Sequence, residues 1–295
     1  MNTPTPPSDE ILKWFGVQVL APLGGRLNQH WLVESGHTRF VLRRWSPDWA
    51  ATSDYELRLL ARLGDLGWPV AYAVEEPIEW EGHTWSLSVF LPGEPTSEKY
   101  SVAEQRERGR LLGHFHSDLS HLYEFGQRGT WRRCEQILAD PILDHILTEH
   151  EREQSEEIHI LRWHLDRART RIDGLTLQNW PGIVIHGDFT PWNLHFTNGQ
   201  LSGILDFELA HWDHRVGDFA LSWRGKYDEV IYGYDEVSPL SPPEWDLITP
   251  LWWSFLIEGA CQSLQNGTGV DEWIIKKLLQ RSPLMGPDSA EFHHP

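Results

Sequence analysis

Ile183-Val-Ile-His-Gly-Asp-Phe-Thr-Pro-Trp-Asn-Leu-His-Phe196, followed by Gly203-Ile-Leu-Asp-Phe-Glu208, decides how this chain is read. Apolar, β-rich runs at Ile183–Ile185, Leu194–Phe196 and Ile204–Leu205 alternate with polar loop residues. The pattern predicts strand, tight loop, strand, turn, strand. Gly187 lets the backbone turn sharply, and Pro191 stiffens the loop. Three polar residues stand at loop and strand-end positions: Asp188, then Asn193 five residues on, then Asp206 thirteen beyond that. Singly, such residues are ordinary turn formers. Their joint spacing, with apolar runs on every side, carries the information.

His186-Gly-Asp-Phe-Thr-Pro-Trp-Asn193 and Ile204-Leu-Asp-Phe-Glu208 resemble the motifs of the aminoglycoside phosphotransferase family. That broad family also takes in choline, homoserine and methylthioribose kinases. The resemblance can be followed from about Leu20 to Leu221. It implies an α+β, protein kinase-like two-lobed fold, with a small antiparallel β N-lobe and a larger, mainly helical C-lobe. The expected division is a disordered leader over 1–10, an N-lobe over 11–91 and a C-lobe over 92–295. The implied cofactors are ATP, with GTP as the alternative donor, and Mg2+.

Phosphoryl transfer needs a positioned hydroxyl and neutralised phosphate charge more than covalent help. Mg2+ takes hard oxygen ligands and keeps several waters, so one carboxylate and one amide oxygen suffice. The resemblance assigns these to Asp206 and Asn193. Asp188 would accept the hydroxyl proton or orient the hydroxyl. His186 and Asp218 are expected to give structural support, Asp218 by bracing the catalytic loop through backbone hydrogen bonds. His116 is likewise expected to be structural.

Upstream, Val17–Leu20, His30–Val33 and Thr38–Leu42 read as strands around Leu23-Gly-Gly-Arg-Leu-Asn-Gln29. Gly24, Gly25 and Asn28 would let backbone amides approach the phosphates. Strand alternation puts Val41 and Arg43 on one face and turns Arg44 away. Arg43 stands where a protein kinase has Lys, and a guanidinium can hold phosphate oxygens bidentately. Glu56, early in the helical pattern of Asp54–Leu63, is its expected ion-pair partner. Val89, Phe90 and Leu91, at the end of a strong strand signal, are expected to read the adenine edge. Apolar stripes predict a helix over Val102–His116, helical structure over 135–178, and closing helices at Trp245–Ala260 and Asp271–Leu279.

The 295 residues carry a formal charge of −18. That argues against a nucleic-acid binder, which would show a basic stripe. No run of about 18 apolar residues suggests a membrane span. Cys134 and Cys261 have no paired spacing and no metal-ligating neighbours in sequence, so neither a disulfide framework nor a zinc site is expected. The expected setting is cytoplasmic, as a monomer or homodimer.

The expected partner is a small-molecule hydroxyl substrate. The acidic balance and 17 tryptophans suit a cationic amino alcohol, through carboxylate pairing and cation–π contact. Glu208, Asp213 and Glu258 are the carboxylates offered for that role. Two other readings stand beside this one. A protein kinase-like enzyme is disfavoured because no long activation segment follows Asp206. A catalytically inactive nucleotide-binding module is disfavoured because Asp188, Asn193 and Asp206 are all present.

Overall fold

The computed structural model describes residues 6–25, 28–129, 131–175, 177 and 180–286. The chain divides into two compact units. One joins Met1–Ser97 to Trp192–Glu208; the other joins Glu98–Pro191 to Leu209–Pro295.

The first unit opens with α1 (Asp9–Phe15). Asp9 and Glu10 were expected in a disordered leader, but they form the first turn of this helix. Acidic residues there favour the helix dipole, and Gly16 ends the helix in the left-handed conformation at φ 62°. Ile11 and Phe15, one turn apart, are buried against the sheet that follows. That sheet contains β1 (Gln18–Gly24), β2 (Gln29–Ser35), β3 (Thr38–Arg44), β4 (Ile78–Trp80) and β5 (His83–Val89). It is antiparallel, in the order β1-β2-β3-β5-β4. Trp31, Leu42 and Leu87 are cross-strand neighbours on the core face, with Trp85 stacked on Trp31 at 5.7 Å. α3 (Ser53–Asp65), preceded by the short α2 (Pro47–Ala50), buries Tyr55, Leu59, Leu60 and Leu63 as one stripe.

The expected break after Leu91 falls later, and the first unit takes back a distant segment. The reason is strand pairing. β6 (Glu94–Pro95) bonds to β8 (Leu194–Thr197), which pairs with β9 (Gln200–Ile204). Asn198-Gly199, at φ 52° and 77°, makes the two-residue turn between β8 and β9. Asn-Gly suits such a turn because both positions need positive φ. Ile204 N–H then bonds Pro69 C=O at 2.8 Å and forms a bridge with Val70.

The second unit is mainly helical. α4 (Val102–Leu119) is capped by Ser101, whose Oγ accepts from Glu104 N–H at 3.1 Å. Val102, expected in its apolar stripe, is 65% exposed because it sits at the first helical position. The stripe runs instead through Gly109, Leu112, Gly113, Phe115, His116 and Leu119. α4 packs closely on α9 (Asp228–Val237), where a Cβ at Gly109 would meet the main chain of Val230 and Tyr234.

The span 135–178 resolves into α5 (Cys134–Ala139), α6 (Ile142–His150) and α7 (Ser155–Ile172). Positions 176 and 178 lie outside the described residues. Ile158, Leu161, Leu165 and Ala168 are buried, as their spacing predicts. α10 (Pro242–Gln265), opened by a Ser241–Glu244 capping box, buries Trp252, Trp253, Leu256 and Ile257. α8 (Phe219–Trp223) and α11 (Glu272–Leu278) complete the helices, and β7 (Ile183–Ile185) pairs antiparallel with β10 (His211–Asp213). No helix among the described residues is long and apolar enough to cross a membrane.

Candidate functional site

In the first unit the polar residues gather at the open end of the β8–β9 hairpin. Pairing runs from Thr197–Gln200 at the turn back to Leu194–Ile204. One step further, Leu205 N–H bonds Asn193 C=O at 2.8 Å. Asn193 and Asp206 therefore leave the hairpin side by side. Asp206 holds φ 64°. Asp tolerates this left-handed conformation better than most residues, and such outliers concentrate at functional positions.

Beside them stands Arg43. One guanidinium nitrogen donates to Glu56 at 2.5 Å and another to Glu208 at 2.9 Å, while the plane lies 3.6 Å over the Trp45 ring. The expected strand facing holds. Arg43 shares its face with His30 and Ser86, whereas Arg44 bonds Gln29 and lies over Trp31 and Trp85 on the core face. Asn28, 1% exposed, donates to Glu208 at 2.5 Å and accepts from Ser46 N–H at 2.8 Å. Burial raises the Glu208 pKa. Arg43 and Asn28 pull it back, and the neighbouring carboxylates of Asp206 and Glu56 raise it further. Two carboxylates, Glu56 and Glu208, thus share one guanidinium, and Asp206 acts on Glu208 as a further negative charge. The Asp206 carboxylate and the Asn193 amide oxygen are hard oxygen donors of the kind that suits a divalent cation of the Mg2+ class.

Arg43→Lys is expected to cost roughly 1–3 kcal/mol, about one charged hydrogen bond. A single ammonium cannot reach both carboxylates and keep the planar stack on Trp45. Melting temperature checks this, with Arg44→Lys as the comparison. Equal losses would mean that the two-carboxylate bridge has no special weight.

In the second unit the loop after β7 is built around Asp218. Its carboxylate, fully buried, accepts Gly187 N–H at 2.5 Å and His186 N–H at 2.8 Å. It is also 2.8 Å from His116 Nε2, and His116 Nδ1 lies 3.0 Å from the Tyr234 hydroxyl. Burial raises the Asp218 pKa, but His116 and His186 together outweigh it and the net shift is downward. His186 Nδ1 accepts Asp188 N–H at 3.1 Å, and Asp188 C=O accepts Thr190 N–H at 2.8 Å. Gly187, at φ 82°, passes so near Leu209 that a Cβ would collide with its carbonyl. Arg108, unnoticed in sequence, is 2% exposed and donates to Phe189 C=O at 3.3 Å and Ser222 C=O at 3.0 Å. Its position four residues before Leu112, in line with the apolar stripe, was the sequence signal.

Several expected assignments change. Asn28 was expected to contribute its backbone, yet its side chain acts as an internal bracket on Glu208. Gly25 is required because a Cβ there would meet Asn28 C=O. Val89 N–H is taken by Tyr72 C=O at 3.1 Å, so its backbone donor is engaged within the first unit. Glu208, expected to face substrate, is instead the second carboxylate on Arg43. Asp213 is buried, accepting His214 N–H at 2.7 Å and lying 3.5 Å from His211 Nε2. Glu258 is ion-paired to Arg132 at 2.8 Å. These three carboxylates already have partners within the protein. Cys134, expected to lack metal-ligating neighbours, has Glu135 and His214 beside it.

A homoserine kinase of Bartonella henselae is 29% identical over 137 residues, 41% of this chain and 37% of that protein. The matched stretch thus spans well under half of that relative. Among solved structures, a thermostable mutant of aminoglycoside phosphotransferase APH(4)-Ia, in ternary complex with ADP and hygromycin B, superimposes with a TM-score of 0.64 at 15% identity. It covers 96% of this chain and 98% of that one. The microcompartment-associated aminopropanol kinase superimposes with a TM-score of 0.65 at 16% identity, covering 89% and 88%. These likenesses establish the α+β, kinase-like fold. The sequence profile of the phosphotransferase enzyme family matches residues 18–235, most of the chain, and the chain belongs to that family.

Proposed function

We propose that the chain is a small-molecule kinase that moves the γ-phosphate of ATP to a hydroxyl, with Mg2+ as cofactor. The observation that carries this reading is the placement of Asn193 and Asp206 together at the open end of β8–β9, beside an Arg43 held by Glu56 and Glu208. Asn193 and Asp206 would hold the metal, which when bound neutralises phosphate charge. Arg43 would bind phosphate oxygens, with Glu56 and Glu208 fixing its fork. Gly24 and Gly25 would admit phosphate to the β1–β2 turn, with Val41 on the same side as Arg43. Val89, Phe90 and Leu91 would read the base, with ATP as the donor and GTP as the alternative. Asp188 would orient the acceptor hydroxyl and take its proton, while His186 and Asp218 hold the loop.

The substrate class rests on the relatives. Homoserine, aminopropanol and aminoglycosides all carry an amine and an acceptor hydroxyl, and an amino-bearing alcohol is the shared chemistry. Only eleven residues separate Asp206 from Asp218, filled by short turns, β10 and no long segment, which favours a small acceptor over a protein. The two free, buried cysteines suit a reducing, cytoplasmic setting.

The test is ADP release with Mg2+ across homoserine, aminopropanol, choline, aminoglycosides and neutral sugars, with Asp188→Ala as control and GTP as competing donor. Turnover confined to amine-bearing alcohols, and lost in the control, supports the reading. Turnover on neutral sugars alone would overturn the substrate class. A nucleotide-induced thermal shift with no turnover on any acceptor would favour a binding module.

A further inference from the structure

A second cluster of ligating side chains lies within the helical unit. Cys134 opens α5, Glu135 follows it, and His214 follows β10, some eighty residues away. Cys134 Sγ, Glu135 Oε2 and His214 Nε2 all lie within 4.8 Å of one another. The thiol is 3.6 Å from the carboxylate oxygen, and the imidazole nitrogen is 3.1 Å from the same oxygen. Cys134 and the His214 side chain are each 2% exposed, and the Glu135 side chain is 21% exposed. The solvent-facing member is therefore a carboxylate, and the two softer donors sit behind it.

We propose that Cys134, Glu135 and His214 form a binding site for a borderline-soft divalent cation of the Zn2+ class, with the fourth position left to water. The donor types select the metal. Thiolate, imidazole and carboxylate together suit tetrahedral Zn2+, whereas Mg2+ and Ca2+ favour all-oxygen sets. Spacing agrees, because the Glu135 oxygen lies 3.6 Å from the thiol and 3.1 Å from the imidazole nitrogen, close to donor separations around one ion, with all three atoms within 4.8 Å. On binding, the Cys134 S–H bond breaks, sulfur keeps the electron pair to form the S–Zn bond, and one proton goes to solvent. His214 binds as neutral imidazole and Glu135 as carboxylate.

The imidazole support is partial. His214 is tied through its backbone to Asp213, and Trp180 meets the ring edge-on at 5.6 Å. Its Nδ1 is buried and makes no hydrogen bond among the described residues. Metal-binding histidines ordinarily brace that second nitrogen. The expected affinity is therefore roughly 10–100-fold weaker than that of a fully braced site.

The test uses the full chain stripped with chelator and titrated with Co2+, then Zn2+. The readouts are the thiolate-to-cobalt charge-transfer band, the stoichiometry and proton release. One equivalent, with a band displaced by Zn2+, is expected. The band should vanish in Cys134→Ser and weaken at least tenfold in His214→Gln, yet persist in Asp206→Ala and Cys261→Ser. Melting curves of each variant establish that it is folded, and Cys134→Ser is close to isosteric. Absence of the band in the native chain, or its survival in folded Cys134→Ser, would overturn the site. Loss of the band only in Cys261→Ser would assign the metal elsewhere and also overturn it. None of these outcomes bears on phosphoryl transfer.

Discussion

Asp188→Ala is expected to lower turnover roughly 10²–10⁴-fold, the usual contribution of a positioned general base. Nucleotide affinity and melting temperature should change little. The bonds from Asp188 N–H to the His186 ring and from Thr190 N–H to Asp188 C=O use the main chain, which the substitution leaves intact. Asp188 also lies in the second unit, whereas Arg43, Asn193 and Asp206 lie in the first. Steady-state kinetics with the best acceptor, nucleotide titration and a melting curve check this. A variant that keeps turnover within a few-fold of native would remove Asp188 from the chemistry. A variant that melts much earlier would show its side chain to be structural.

Asp218→Ala should have the largest effect on stability. Its carboxylate is fully buried and collects two backbone N–H groups and the His116 ring. Removing one side of such a buried arrangement typically costs about 3–5 kcal/mol. For a chain of this size that is a fall in melting temperature of roughly 10 °C. Turnover should fall too, because the freed amides belong to His186 and Gly187, immediately before Asp188. The pH dependence has a definite sign. The folded pKa of Asp218 lies below its ordinary value: burial raises it, but the bonds and charges of His116 and His186 together outweigh burial. Its stabilisation is therefore complete above the unfolded carboxylate pKa, about 3.9, and is lost as pH falls through the lower folded value. The gap in stability between native and variant should narrow below about pH 4. A gap independent of pH down to complete unfolding would mean that Asp218 contributes by packing alone.

What was legible in the sequence was mostly local. The β7 loop, the β8–β9 hairpin and the facing of Arg43 follow from strand alternation and turn residues a few positions apart. The Glu56 partnership was readable because a strand leading into a helix puts residues thirteen apart within reach. The second carboxylate on Arg43 lies 165 residues away and the Asn28 bracket on Glu208 lies 180 away. No periodicity encodes such pairings; they exist only once the hairpin has docked. The same holds for Cys134 and His214. Helix α1 was a different miss. Ser8, Asp9, Glu10 and Gly16 are ordinary helix boundary signals, hidden behind a proline-rich start.

The discontinuity of the first unit constrains how the molecule can be made. A ribosome releases the chain from its N-terminus, so strands β1 to β6 emerge long before β8 and β9. Until Leu194–Thr197 leaves the exit tunnel β6 has no strand to pair with, and until Glu208 follows Arg43 has only one of its two carboxylates. The five-stranded sheet can pair on its own, but β6 must wait through the synthesis of about a hundred intervening residues for its only strand partner among the described residues. Such long-range closure is slow in folding, and it leaves a transient unpaired edge exposed to other nascent chains and to chaperones.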